Sequence, residues 1–161
     1  MHGFEGDGYY CVKEVYSEAK SENMEIANRI KEWVHLKGAD VVNVDGHGLG
    51  VGVISRLKEV LPKYIPVKSC LYGGAAGKNH IYTNAKAEHY FYLRTLFIEG
   101  RIAIPHNKQL RKDLLSIKWD RKTESNKIRI IDPEGYSPDH SDCLVYFVWK
   151  YSGKTGSYSL A

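Results

Sequence analysis

The chain has 161 residues, of which 43% are hydrophobic, and it carries a formal net charge of +4 at pH 7. This length suits one domain with a hydrophobic core, and no apolar run approaches the roughly 20 residues that cross a bilayer. The first residues lack the pattern of a signal peptide. Three widely spaced cysteines indicate a reducing compartment and argue against a disulfide framework or a zinc knuckle.

The positive charge is concentrated in one segment. Residues 101–130 contain nine Lys and Arg against three acidic residues, whereas the rest of the chain carries 14 basic and 16 acidic groups. A basic segment on a near-neutral body is typical of a polyanion-binding surface. The alternative is an ordinary solvated face formed by a helix and a hairpin.

The first half of the chain predicts strands that alternate with helices, which implies right-handed crossovers and an α/β sheet. In chain order the elements are a strand over 9–19, a helix from the cap residue Asn23 through Lys37, a strand over 39–45, a helix from about Leu49 to Pro62, and a strand over 65–73.

The second half predicts three helices and a hairpin. In chain order these are a helix from the cap residue Asn84 to Gly100, a short extended piece over 101–105, a helix opened by Asn107, a hairpin over 117–132, and a helix begun by Ser137 and Pro138 that ends near Trp149. The polar residues 152–161 are expected to form a flexible tail.

The segment VVNVDGHGLG places Asp45 between an apolar strand and alternating glycines. A dinucleotide loop needs a third glycine three positions after the second, and a Walker loop needs Gly-Lys-Ser/Thr. Neither spacing is present, although nucleotide binding stays an alternative. The other interpretation is a metal-binding carboxylate at the carboxyl end of a strand, where open α/β sheets place their sites.

A second carboxylate must converge on Asp45, because one acid does not hold a hard divalent cation against water. Asp139 and Asp142 lie one helical step apart near the start of the last predicted helix. Asp139 has an ordinary alternative role, since an acid in the first turn complements the helix dipole. Asp142 is followed by an apolar run, where a carboxylate needs a partner. We therefore expect Asp142 to be the second metal ligand.

Four segments follow one another in the order NVDGHGLGVGVISRL, YTNAKAEHYFYLR, GRIAIPHNKQLRKDL and GYSPDHSDCLVY. This order resembles the nuclease domain of the large terminase subunit of tailed phages and prophages, over about residues 9 to 150. The resemblance implies a ribonuclease H-like mixed sheet flanked by helices, with an added hairpin. It also implies a two-metal endonuclease that cuts concatemeric double-stranded DNA during viral genome packaging.

By this resemblance Asp45 and Asp142 are catalytic, metal-holding acids, and Asp139 is the neighbouring acid of the same set. Together with a further acid they would hold two Mg²⁺ or Mn²⁺ ions. Asn84 and Glu88 match an Asn-x-x-x-Glu pattern of the family; we interpret Glu88 as a surface or supporting residue, and His47 as a turn residue. The residues expected to bind DNA phosphates are Lys108, Arg111, Lys112, Arg121 and Lys122.

The sequence departs from the family pattern in two places. The family carries a first strand whose aspartate completes the metal site, and this sequence begins after it; Asp7 lies too close to the first helix to be that acid. Residues 1–151 are therefore expected to form an N-terminally incomplete nuclease domain, from a shortened polypeptide or a degraded gene. Many members also have a lysine after the strand matching IRII, where this chain has Asp132.

The implied partners are double-stranded DNA, a terminase ATPase domain, a small terminase subunit and a portal. The implied location is the cytoplasm of a bacterial host, with no membrane contact. The alternative function is a catalytically incomplete prophage remnant that acts only as a DNA-binding or motor-contact module.

Overall fold

The computed structural model describes residues 1–17 and 22–149, so the tail expected at 152–161 lies outside the described residues. The helices are α1 (Asn23–Lys37), α2 (Leu49–Val60), α3 (Ala85–Ile98), α4 (Lys108–Ser116) and α5 (Asp139–Phe147). The strands are β1 (His2–Gly6), β2 (Tyr9–Glu14), β3 (Val42–Asp45), β4 (Val67–Cys70), β5 (Ile102–Ala103), β6 (Lys118–Arg121) and β7 (Ile128–Ile131). Across these ranges every helix falls short of the length and apolar character of a membrane span.

The described strands form three separate hydrogen-bonded sheets, and together with the five helices they confirm the α/β class. β2 lies between β1, which is antiparallel to it, and β5, which is parallel. β3 pairs in parallel with β4, and β6 pairs with β7 as an antiparallel hairpin. Asp45 is paired with Cys70, so the carboxyl ends of β3 and β4 lie side by side. This edge is where the predicted acid stands.

Two apolar clusters hold the elements together. One cluster packs α1 and α2 against β3 and β4, with Ala27, Val53 and Leu57 at its centre. The other packs α3, α4 and α5 against β2, with Leu96 and Leu144 fully buried. β3 and α5 are joined directly, because the Asn43 side-chain amide donates a 2.7 Å hydrogen bond to the Tyr146 carbonyl.

The predicted helix ends are confirmed at three places. Gly38 ends α1 in the left-handed conformation, with φ of 64°. Asn84 and Asn107 cap α3 and α4, each accepting a hydrogen bond from a backbone N–H three residues later.

Three details of the helices differ from the predictions. Asn23 is the first helical residue of α1 rather than its cap, because the chain is still extended at Glu22. α5 begins at Asp139, since the Ser137 hydroxyl donates to the Asp139 carboxylate instead of capping a backbone N–H. α5 ends at Phe147, two residues before the predicted end near Trp149.

The turn from β3 into α2 is packed too closely for side chains. A Cβ on Gly46 would lie 2.1 Å from Ser69 Oγ, and a Cβ on Gly50 would lie 1.8 Å from the carbonyl oxygen of Asp45. Gly48, between them, has φ 55° and ψ −124°, a conformation that other residues rarely adopt. The glycines therefore let the first turn of α2 lie directly against the end of β3.

We expect Gly50→Ala to lower the free energy of unfolding by about 2 kcal/mol, because its methyl group would collide with backbone that cannot move alone. Gly52→Ala, two residues on in the same helix, is the matched control. Its Cβ would meet only the end of the Asn23 side chain, and a helical alanine gains about 0.5–1 kcal/mol over glycine. Urea denaturation measures both variants, and equal stability of Gly50→Ala and the wild type would contradict this account of the turn.

Candidate active site

Asp45 is the exposed acid of the site. It ends β3, and its side chain is 49% exposed. The backbone N–H of His47 donates to Asp45 Oδ1 at 3.0 Å, and the His47 ring nitrogen Nδ1 lies 3.3 Å from the same oxygen. Local hydrogen bonds in the turn therefore orient this carboxylate while leaving it in contact with solvent.

Asp142 lies in the first turn of α5, and its side chain is only 18% exposed. The Tyr72 hydroxyl, from the loop after β4, donates to Asp142 Oδ1 at 2.8 Å, and the Tyr90 hydroxyl, from α3, donates to the same atom at 2.6 Å. Burial raises the pKa of Asp142, although the two phenols and the charge of Lys86 oppose that rise. Every side-chain hydrogen bond found for this carboxylate within the described ranges ends on Oδ1.

Tyr146 links the two acids. It follows Asp142 by one helical turn on α5, is buried, and packs against the ring of Tyr72 with centroids 4.8 Å apart. Burial raises the pKa of the Tyr146 phenol, and the negative charges of Asp45 and Asp142 raise it further. The carboxylates of Asp45 and Asp142, which are 97 positions apart in the chain, therefore both act electrostatically on one tyrosine.

Lys86 and Asp132 lie beside Asp142. The Lys86 ammonium, on the first turn of α3, donates to both Asp132 oxygens at 2.6 and 2.7 Å. The same ammonium is 4.0 Å from Asp142 Oδ1, and the lysine side chain is only 14% exposed. Lys86 of α3 therefore lies next to Asp142, and Asp132, which follows β7, binds its ammonium group.

The other predicted residues have mainly local contacts. Asp139 is exposed and accepts a hydrogen bond from the Ser137 hydroxyl at 2.5 Å. No hydrogen bond or ion pair among the described residues joins Asp139 to Asp45 or Asp142. The Glu88 carboxylate accepts hydrogen bonds from the backbone N–H groups of Gly77 and Lys78, at 2.6 and 3.1 Å. Glu88 therefore fixes the loop before α3, which fits a supporting role.

The five basic residues predicted to bind DNA lie on α4 and on the β6–β7 hairpin, and all of them are exposed: Lys108, Arg111, Lys112, Arg121 and Lys122. α4 is tied to α5 by the fully buried Asp113, which accepts the backbone N–H of His140 at 2.9 Å. Asp113 also accepts hydrogen bonds from Gln109 and the Tyr136 hydroxyl. A basic helix is thereby fixed to the helix that carries Asp142.

The tyrosines of the site were not predicted from the sequence. Tyr146 carried a usable signal, because it lies four positions after Asp142 and so shares its helix face. Tyr72 carried another, since it follows β4 at the same sheet edge as Asp45. Nothing local marked Tyr90, which reaches Asp142 across 52 residues of chain.

The carboxylates of the site are the type of ligand that a hard divalent cation prefers. Two carboxylates, Asp45 and Asp142, flank Tyr146, and Mg²⁺ in proteins is commonly bound by one or two carboxylates together with waters and substrate phosphates. Within residues 1–17 and 22–149 no group of three or more His, Cys, Asp or Glu side chains is placed to hold a metal ion. The two carboxylates suit one ion shared with a phosphate rather than a closed protein cage.

Solved structures with this fold are known. A mutant nuclease domain of the large terminase subunit of bacterial virus Sf6, with manganese and β-thujaplicinol, is 18% identical, with a TM-score of 0.69 over 88% of this chain and 79% of that chain. Another structure of the Sf6 nuclease domain is 16% identical, with a TM-score of 0.63 over 80% and 73%. The large terminase nuclease of thermophilic phage G20c, with bound cobalt, is 16% identical, with a TM-score of 0.59 over 80% and 62%.

These similarities show the fold. The chain has the ribonuclease H-like fold of large terminase nuclease domains, as the four sequence segments predicted. The sequence matches no protein-family model, and no curated protein is significantly similar to it.

We expect Asp142→Asn to leave the metal-free domain as stable as the wild type or more stable at neutral pH. The amide oxygen can still accept from Tyr72 and Tyr90, and the burial of a charge is removed. Because burial raises the folded-state pKa of Asp142, ionisation of this group weakens the fold as pH rises from the ordinary value of 3.8. The advantage of the variant should therefore be absent at low pH and grow above that value.

Urea denaturation of both proteins across this pH range, with a chelator present, measures the difference. A large loss of stability in the variant at neutral pH would mark the ionised Asp142 as a structural partner.

Proposed function

We propose that this domain is the metal-dependent DNA endonuclease domain of a phage large terminase, which cuts concatemeric double-stranded DNA during genome packaging. The observation that carries the proposal is the position of Asp45 at the carboxyl edge of β3 and β4, next to the helix α5 that carries Asp142 and that Asn43 of β3 holds by a hydrogen bond. Paired acids at this edge suit phosphodiester hydrolysis, and two of the solved terminase nucleases with the same fold contain manganese or cobalt.

Asp45 and Asp142 would hold the cation, Mg²⁺ or Mn²⁺, with Asp139 as the neighbouring acid. Such an ion, when bound, polarises a phosphate oxygen and makes water a stronger nucleophile near neutral pH. The two-ion form of this chemistry would need a further carboxylate beside Asp45 and Asp142.

The protein's own contribution is to fix the two carboxylates in different ways. Tyr72 and Tyr90 both engage Oδ1 of Asp142, so this carboxylate keeps one orientation with Oδ2 turned away from the phenols. Asp45 is exposed to solvent, and His47 donates a hydrogen bond to one of its oxygens. A preorganised acid beside a solvated one suits a phosphate that arrives from solvent.

Binding to duplex DNA would come from the basic segment. The exposed side chains of α4 and of the β6–β7 hairpin can neutralise phosphates without reading the sequence. Asp113 couples α4 to α5, so DNA on this surface would lie in a fixed relation to Asp142. A terminase ATPase domain, a small terminase subunit and a portal are the proposed partners, in a bacterial cytoplasm.

We expect weak plasmid nicking that is faster in Mn²⁺ than in Mg²⁺, because Mn²⁺ binds such ligands more tightly and tolerates an imperfect site better. Asp45→Ala should reduce the rate at least about 100-fold, since a bound ion stabilises the transition state by several kcal/mol. Asp40→Ala is the matched control, because this exposed acid precedes β3 at the other end of the strand.

Plasmid relaxation assays compare the three proteins. Cleavage that survives Asp45→Ala would contradict the proposed mechanism. DNA binding without any metal-dependent cleavage would favour the non-catalytic DNA-binding module instead.

We expect salt-sensitive, sequence-independent duplex binding through the basic segment. Reversal of Arg111, Lys112, Arg121 and Lys122 to glutamate should flatten the plot of log K against log salt by about 0.9 for each phosphate that the protein no longer neutralises. A second variant reverses four exposed lysines outside the segment and changes the net charge equally: Lys13, Lys31, Lys58 and Lys63. Fluorescence anisotropy at several salt concentrations measures both slopes, and equal flattening by the two variants would exclude a localised surface.

A further inference from the structure

Lys86 and Asp132 form an ion pair that neither the proposed cation site nor the DNA-binding surface includes. Lys86 Nζ lies 2.6 and 2.7 Å from the two Asp132 oxygens, so the ammonium is held by both. Asp132 follows β7 and is half exposed, whereas the Lys86 side chain is nearly buried. The pair therefore reaches from the surface to the edge of the Asp142 site.

The Lys86 ammonium lies near two carboxylates, those of Asp132 and Asp142. Its ammonium is 4.0 Å from Asp142 Oδ1, just outside hydrogen-bonding distance. A movement of about 1 Å would bring it to the 2.7–2.9 Å of a charge-assisted hydrogen bond. The rings of Tyr72 and Tyr90 flank it, with centroids 4.9 and 5.9 Å from Nζ. These rings leave the ammonium few directions other than towards Asp132 or Asp142.

An ammonium bound directly to Asp142 would oppose cation binding in two ways. It would neutralise one of the two carboxylates that flank Tyr146, and it would repel a divalent ion placed beside that carboxylate. The bidentate contact with Asp132 prevents this, because the shorter distances and the second oxygen favour Asp132. Asp132 thus determines how close the Lys86 ammonium comes to Asp142.

We propose that Asp132 is a positioning residue that holds the Lys86 ammonium away from Asp142 and so keeps Asp142 open to a divalent cation. This inference rests on the proposed function and concerns the regulation of that same site. Lys86 is then a built-in competitor of the cation, and Asp132 restrains it. The effect of Asp132 on cation binding must therefore depend on the presence of Lys86.

A double-mutant cycle tests this dependence, with Mn²⁺ binding to the full chain measured by titration calorimetry. Asp132→Asn should weaken Mn²⁺ binding about tenfold, because Lys86 is released to Asp142. In the Lys86→Met background the same substitution should weaken binding by about twofold at most, which is the direct effect of the removed charge. Asp132→Glu should restore the wild-type affinity, since it keeps the carboxylate that holds Lys86.

The outcome that overturns the inference is an equal loss of affinity on Asp132→Asn in both backgrounds, because Asp132 would then act only as a distant charge. Lys58→Met is the control for removal of a lysine, since Lys58 lies in the last turn of α2, at the end away from Asp45. This variant should bind Mn²⁺ like the wild type.

A second measurement does not depend on the metal. In a crystal structure of metal-free Asp132→Asn, Lys86 Nζ should lie within about 3 Å of an Asp142 oxygen. If Nζ stays at 4.0 Å or moves to solvent, the inference is wrong. Equal Mn²⁺ affinity of the wild type and Asp45→Ala would instead count against the proposed function, while the crystal structure would still decide the role of Asp132.

Discussion

The burial of the Asp142 carboxylate is the interaction on which the arrangement of the site depends. A carboxylate that is largely removed from water must be hydrogen-bonded, and here two phenols supply those bonds. Tyr72 comes from the loop after β4 and Tyr90 from α3, so one oxygen of α5 ties together three parts of the chain. These hydrogen bonds lie beside the apolar cluster that α3 and α5 share. Because they join specific residues, they favour one relative position of the two helices.

A second buried carboxylate, that of Asp113, also fixes this short helix. α5 has nine residues, too few for a stable isolated helix, so tertiary contacts must hold it. Asp113 of α4 accepts the His140 backbone N–H in the first turn, and Asn43 of β3 donates to the Tyr146 carbonyl in the last turn. Asp142 lies between these anchors, and its direction relative to β3 is therefore set by the fold rather than by its own rotamer.

The sequence allowed prediction of features with local causes. Asn84 and Asn107 were identifiable as caps because capping acts over three residues. The position of Asp45 at the end of a strand was predictable because an apolar run ends there and glycines follow it. The β1–β2 hairpin also had a local signal, an Asp7-Gly8 turn with positive φ at both residues, but its glycine-rich first strand lacks an apolar pattern. The chain contains 12 tyrosines, and only tertiary contacts distinguish Tyr90 from the others.

The two acids differ in when they lose water, and this difference connects the site to the stability of the fold. Asp45 is solvated in the folded protein and gives up water only when something binds to it. Asp142 is desolvated as α5 packs, so folding itself carries the unfavourable energy of burying its charge. A cation that bound both acids would offset this energy and would stabilise the folded state by mass action. The two phenols and the charge of Lys86 offset this energy only in part, which is why Lys86, whose ammonium is 4.0 Å from Asp142 Oδ1, matters more than the exposed lysines elsewhere.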